Sequence, residues 1–432
     1  MNIASGKKAV SRVNQSIREA VATERRDDAA RFDLELAREL VEFAVDLDAQ
    51  DDRLRLQQSV KGASTIATSR AKTLSDSSIY LPQYGDRWES LIDTRIQYAD
   101  ASKRSCISEP AWNGGDPKYN GFGPFANAWL LAREIKSFGQ PARADLPTYV
   151  VAIRGTVFSS RPSVVEDVFA NTIVARRVVR STAGIEVPLL FAELSGAEIH
   201  AGFGYSCLSL LFDRKFGLIR ALQALAQEKV ALTLTGHSQG AAMATLLHAF
   251  LRYARVRNWL LTDKIVEVNS YVFAQPKPGN ALFSSDFDRV SRHDGGSSFL
   301  LNNTLDPVPA VPLTRQSLSD LSKDLPSATR IDKCIDAIEA PARNLRHWVS
   351  SQLDRQIVEW MGSDDLLLDP QRQMYCRAKT CEFPAGCSRN YTMAGTLVSL
   401  PGDASGAYQG QNPIDPFIQH HAPTYRELLG RV

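Results

Sequence analysis

The sequence predicts an α/β fold, with a mainly parallel central sheet flanked by helices, and three observations predict it. Short β-branched or apolar runs, TYVVAI, VALTL, VEVNSYVF and SSFLL, each end in a loop rich in Gly, Pro, Asn or Asp. Helical patterns lie between several of them, notably AAMATLLHAFLRYARVR. One junction between an apolar run and a helix reads Gly236-His237-Ser238-Gln239-Gly240. Apolar strands alternating with helices are the pattern of a parallel sheet buried on both faces. In such sheets ligands bind beyond the carboxyl ends of the strands, where these loops fall.

Taken in chain order, the first hundred or so residues stand apart. From Ser11 to Val60 the sequence is dense in Arg, Asp, Glu, Ala and Leu. Phe32, Leu36, Leu40, Phe43, Ala44 and Leu47 recur at three- and four-residue spacing, which makes an amphipathic helix with one apolar face. That face needs a partner, and packing on the main body is favoured over a separate partner. Residues 1–110 are thus read as a mostly helical extension, and 111–432 as the main α/β domain. FANAWLLAREIKSF reads as a helix before the first strand, TYVVAIRGT. An insertion with local helices is expected at about 314–400, and His420 and His421, in FIQHHAPTYRELL, are read in a short polar loop before a final helix.

Composition excludes some functions. With 50 basic and 48 acidic residues the net charge is +2, too near neutral for a nucleic-acid partner. No stretch reads as a bilayer span. The first residues carry Lys7, Lys8, Arg12 and Arg18 but no apolar core, so no secretory signal is expected. The chain then reads as soluble, either cytoplasmic or exported by a signal-independent route. Of the six cysteines, Cys376, Cys381 and Cys387 cluster, but their spacing is not that of a zinc finger, and no metal site is expected.

The chemistry is carried by the pentapeptide and by two later segments. G-x-S-x-G suits a serine on a strained strand-to-helix turn, where flanking side chains would collide with the neighbouring strand or helix. Val230 to Leu234 supply the strand, Ala241 to Leu246 start the helix, and Ser238 is the expected nucleophile. The helix N-terminus aims its N–H groups at a developing oxyanion. A serine hydroxyl needs a base and an acid that orients the base, in the order Ser, acid, His for α/β-hydrolases. Asp306, in LNNTLDPVP after a candidate strand, is the expected acid. His347, in a helical pattern, reads as a surface or packing residue, leaving His420 and His421 as the candidate bases.

Six blocks in order resemble the class 3 lipases, the family of the fungal triacylglycerol lipases. They are VVAIRGT, HAGF at His200, GHSQGAA, FAQPKPGN, NNTLDPVP and a late His followed by Tyr425. The resemblance covers Ala126 to Pro312 well, the final helix loosely and the first hundred residues hardly at all. It implies an α/β-hydrolase fold and a Ser238–Asp306–His triad needing no cofactor. His421 is preferred as the base on the resemblance of His-Ala-Pro-x-Tyr to bacterial relatives, with His420 as the alternative. The oxyanion hole would use Thr156 and Gln239. A lid is implied within 157–180, where Val164, Val165, Val168 and Phe169 could meet a lipid surface, although an ordinary packed helix fits that stretch equally. The expected activity is hydrolysis of lipid esters, of lipase or phospholipase type. An exported antibacterial or host-directed phospholipase stays open, with an inhibitor or immunity protein as its partner. So does a non-catalytic scaffold that binds a partner.

Overall fold

The structure, a computed structural model, describes residues 31–48, 83–84, 87–95, 121–123, 125–135, 146–156, 172–181, 186–213, 215–257, 263–312, 367–369, 374–376, 378–381 and 390–432. Its centre is a sheet of eight described strands that lie side by side in chain order. They are β1 (Gln83–Tyr84), β2 (Trp88–Asp93), β3 (Trp129–Glu134), β4 (Thr148–Ile153), β5 (Val230–His237), β6 (Ile265–Phe273), β7 (Ser297–Asn303) and β8 (Thr396–Leu400). Strands β1 to β4 pair antiparallel, whereas β4 to β8 run parallel. The expectation of a mainly parallel sheet flanked by helices is met. The parallel half has the composition its burial demands: every residue of β5 and of β7 is buried.

Helices cover both faces. On one side lie α2 (Ala201–Phe212), α3 (Leu218–Leu225), α4 (Gln239–Arg257) and α5 (Ala281–Ser291), packed over Leu131, Val151, Leu232, Leu234, Val272 and Leu300. On the other lie α1 (Leu34–Asp48) and α6 (Ala422–Arg431), over Leu130, Val150, Ala152, Tyr271, Phe273 and Leu301. Consecutive residues of β3 thus enter opposite cores, as the pleat requires. A second, smaller sheet joins Thr172–Val174, Glu198–His200, Gly279–Asn280 and Tyr391–Thr392.

Several sequence expectations are corrected. Within FANAWLLAREIKSF, residues 129–134 form β3 rather than a helix. A strand buried on both faces reads as a continuous apolar run rather than an alternating one, so its periodicity does not distinguish it from a helix. The described part of 1–110 holds strands as well as a helix. Helix α1 packs on the sheet, and β1 and β2 belong to it. The expected insertion at about 314–400 overlaps residues 396–400, which are β8 of the main sheet. Residues 313–366, His347 among them, lie outside the described residues. Of the expected lid stretch, 157–171 also lies outside, with Val164, Val165, Val168 and Phe169. Residues 172–174 and 176–181 are strands instead. Among the described residues no helix is long and apolar enough to cross a membrane.

Candidate active site

Strand β5 ends at His237 and helix α4 begins at Gln239, so a single residue, Ser238, turns the chain. Its φ is +55°, a left-handed conformation that a non-glycine residue adopts only under constraint. The constraint is visible in the bonds around it. Ser238 N–H donates to the Phe273 carbonyl at 3.0 Å, and the Ser238 carbonyl accepts from Ala241 N–H at 2.9 Å. The flanking glycines answer to sterics. A Cβ on Gly236 would lie 2.6 Å from the Gly240 backbone, and one on Gly240 would overlap the Ile153 carbonyl oxygen. Strand, turn and helix must approach this closely for the hydroxyl to stand clear, as the sequence pattern implies.

The acid arrives on the next-but-one strand. Asp306 follows β7 in a short turn, where its Oδ1 accepts from Val308 N–H at 2.9 Å. Its Oδ2 meets His420 Nδ1 at 2.9 Å, and His420 Nε2 lies 2.9 Å from Ser238 Oγ. The serine, His420 and Asp306 therefore form one hydrogen-bonded line, all of it buried. Tyr425, on the first turn of α6, donates its hydroxyl to Asp306 Oδ2 at 2.7 Å and accepts from Asn303 N–H at 3.1 Å. The late tyrosine of the family-like segment thus braces the acid.

The preference for His421 is corrected by this geometry. His421 is the residue at which α6 starts, and its Nε2 turns outward to Asp415 Oδ2 at 2.9 Å. Its side chain is 34% exposed, against 2% for His420. The two neighbours point in opposite directions, so one is taken up by the serine and the other by a surface carboxylate.

Electrostatics suit a proton relay. Burial pushes the His420 imidazolium below the usual 6.5, and the hydrogen bond to Asp306 opposes that; the charge of His237 lowers it further, while those of Asp306 and Asp48 raise it. His420 is therefore neutral at pH 7 and free to take a proton. Burial acts to raise Asp306, but the hydrogen bond and charge of His420, with Tyr425 and Val308 N–H, outweigh it and hold the carboxyl below its ordinary 3.8.

Thr156 follows β4 and stands at the same end of the sheet as Ser238, and Gln239 opens α4 directly after the nucleophile. Both residues expected at an oxyanion hole therefore lie just past the carboxyl ends of the paired strands β4 and β5, where Ile153 stands opposite Gly236.

Two residues at the site escaped the sequence reading. His237, inside the pentapeptide, sends Nε2 to the His420 carbonyl oxygen at 2.6 Å and Nδ1 to Asp48 Oδ2 at 2.5 Å. Asp48 is the last residue of α1, and its Oδ1 also accepts from Gly155 N–H at 2.9 Å. No sequence signal links Asp48 to a strand end more than a hundred positions away; only the docking of α1 does.

Comparison with known proteins places the middle of the chain. Residues 150–316 match the family model described as lipase (class 3). A stretch of 120 residues, 28% of this chain, is 35% identical to 36% of the secreted mono- and diacylglycerol lipase LIP4 of Malassezia restricta. A longer stretch of 265 residues, 58% of this chain, is 26% identical to 58% of phospholipase A1-II 3 of Oryza sativa subsp. japonica. The chain thus spans about a third to rather more than half of the length of these curated relatives. Among solved structures, M37 lipase aligns over 92% of both chains at 16% identity and a TM-score of 0.44. The lipase of Rhizopus microsporus var. chinensis aligns over 44% of this chain and 52% of its own at 24% identity and a TM-score of 0.28.

Proposed function

Through residues 150–316 the chain belongs to the class 3 lipases, and from that premise we propose that it hydrolyses carboxylic esters of lipids. The observation that carries this reading is His420 lying 2.9 Å from both Ser238 Oγ and Asp306 Oδ2. Ser238 is the nucleophile, His420 the general base and then general acid, and Asp306 the group that fixes the imidazole tautomer. Because Asp306 Oδ2 accepts a hydrogen bond from Nδ1–H, Nε2 is left with the lone pair that faces the serine.

The reaction runs in two halves. His420 Nε2 accepts the Ser238 proton as Oγ bonds to the ester carbonyl carbon, and the carbonyl π electrons move onto oxygen. The backbone N–H groups of Thr156 and Gln239 receive that oxyanion. Its collapse expels the alkoxide, which takes the proton from His420 and leaves as an alcohol, with the acyl group on Ser238. Water, deprotonated by His420, then attacks the acyl-enzyme and releases the fatty acid, returning the proton to Ser238. No metal or organic cofactor enters either half. Donors aimed at the oxyanion in a buried site contribute more here than they would in water.

The substrate is a lipid ester; its head group is the finer question. One relative is named for mono- and diacylglycerols and another as a phospholipase A1, so glycerides and phospholipids are the two classes to compare. The test is acid release from short soluble esters, emulsified glycerides and phospholipid vesicles, with Ser238→Ala beside the native protein. Activity is expected in the native protein and is expected to fall by about 10⁴-fold or more in Ser238→Ala. Labelling of Ser238 by a fluorophosphonate is expected as well. A native protein that neither releases acid nor takes the label would be a scaffold, and this proposal would be wrong.

A further inference from the structure

Asp48 lies outside the segment that matches the lipase family, yet its carboxylate reaches two parts of the site at once. Oδ1 accepts from the N–H of Gly155, the residue before Thr156, at 2.9 Å. Oδ2 meets His237 Nδ1 at 2.5 Å, and the other nitrogen of that ring meets the carbonyl oxygen of His420 at 2.6 Å. We propose that Asp48 is a positioning residue for ester hydrolysis, holding the oxyanion strand through Gly155 and the backbone of the catalytic base through His237. The inference rests on the serine-hydrolase reading above.

The chemistry of the acceptors makes the link directional. A backbone carbonyl can only accept, so His237 Nε2 must carry a hydrogen and donate it to His420. Nδ1 faces Asp48 Oδ2 at 2.5 Å. The His237 ring is thereby tied at both ends. It sits with its centroid 4.7 Å from that of His420 and 5.6 Å from that of Tyr425, so it also fills the space behind the base. The side chain of His237 is 4% exposed and that of Asp48 20%, which keeps the bridge largely out of competing water.

Gly155 completes the arrangement. A Cβ there would lie 2.7 Å from the His237 carbonyl oxygen and 3.0 Å from Asp48 Oδ1. The absent side chain lets helix α1, strand β4 and the turn at Ser238 converge on one carboxylate. Without that carboxylate the Gly155 N–H and His237 Nδ1 lose their shared partner. Both the oxyanion donors and the peptide carrying His420 then gain freedom. Neither contact touches substrate, so binding of a small ester should be indifferent to the change. The chemical step should not be, since sub-ångström placement governs it.

The experiment uses the full chain with Asp48→Asn and Asp48→Ala, a short soluble ester, and fluorophosphonate titration to count reactive Ser238. Asparagine keeps an oxygen for Gly155 N–H and removes the carboxylate from His237; alanine removes both contacts. Expected for asparagine is a fall of about 10-fold in kcat per titrated site, and for alanine about 100-fold, with KM within about twofold of native in both. A folded variant of either kind whose kcat per titrated site stays within about twofold of native would overturn the inference. So would a loss confined to the number of titratable sites, which is the mark of a purely structural anchor, or a loss confined to KM. Because the readout is normalised to sites, a partly folded variant still decides the matter. A native protein inactive on every ester would instead overturn the hydrolase reading, and this inference with it.

Discussion

The base of the site is decided by one residue's orientation, and its consequences are measurable. His420→Ala should abolish acid release, a loss of about 10⁴-fold or more, whereas His421→Ala should change kcat by less than about threefold. Equal losses in the two would return the base to ambiguity and count against the geometry at His420. Burial, only partly offset by Asp306, also lowers the His420 pKa, and the sign of the effect on rate follows. Hydrolysis needs the neutral imidazole, so activity persists until the pH falls through the lowered value. The acid limb of kcat/KM on a soluble ester should have its midpoint below 6.5; a midpoint above 6.5 would contradict it. Ser238 was legible in the sequence because its constraints are local: two glycines, a strand before it and a helix after it. Asp306 was legible because chain order and a strand-end loop both pointed to it. The choice between His420 and His421 was not, because adjacent residues share every local signal. What separates them is the trajectory of residues 415–421 into α6, with Asp415 waiting on the outside.

At the scale of elements, α1 is where sequence and fold informed each other most. Its apolar stripe was plain in the spacing, and in the structure Ala37, Leu40, Val41, Phe43, Ala44 and Leu47 are all buried. Asp33 Oδ1 accepts from Leu36 N–H at 3.1 Å and so satisfies a backbone donor at the helix start. The stripe could not say that its partner is the sheet, nor that β1 and β2 would extend that sheet beneath it. Phe43 fixes this contact, with its ring centroid 4.0 Å from that of Tyr84 and 6.2 Å from that of Trp88. Phe43→Ala should therefore lower unfolding free energy by about 3–5 kcal/mol, the usual range for a buried aromatic. Denaturant unfolding of the full chain measures it. A loss of less than about 1 kcal/mol would mean that α1 is not docked as described, and would weaken the case for Asp48 at its C-terminal end. Strand β3 gives the complementary lesson. Its Ala, Leu, Arg and Glu are good helix formers, yet its place between β2 and β4 overrides propensity, because Trp129 and Leu131 fill one core while Leu130 and Ala132 fill the other.

For the molecule as a whole, two histidines outside the triad tie folding to pH. His200, at the start of α2, accepts from Phe203 N–H at 3.4 Å and stacks on the Phe203 ring, with centroids 4.1 Å apart. His248, within α4, shares a hydrogen bond with Ser270 Oγ at 3.0 Å. Both lie in the interior, and burial lowers each from 6.5 to about 3; for His248 the charge of Arg252 adds to the effect. Below pH 6.5 the unfolded chain binds these protons while the folded one does not. Unfolding free energy must therefore fall as the pH is lowered from about 6.5 toward 3, by roughly 1.4 kcal/mol per pH unit for each histidine at full separation. Asp306, with its depressed pKa, adds a further loss only below about its ordinary 3.8. Urea unfolding at pH 7, 6, 5 and 4 should show the decline, and His248→Gln should reduce the slope between pH 6 and 4 by up to about 1.4 kcal/mol per pH unit, since glutamine does not titrate. An unchanged slope in that variant would show that His248 is protonated in the folded protein. The triad is predicted to fail differently. Over the same range His420 loses activity by charging within an intact fold, so rate and stability should decline with separable midpoints, the first set by the site and the second by the core on which α2 and α4 pack.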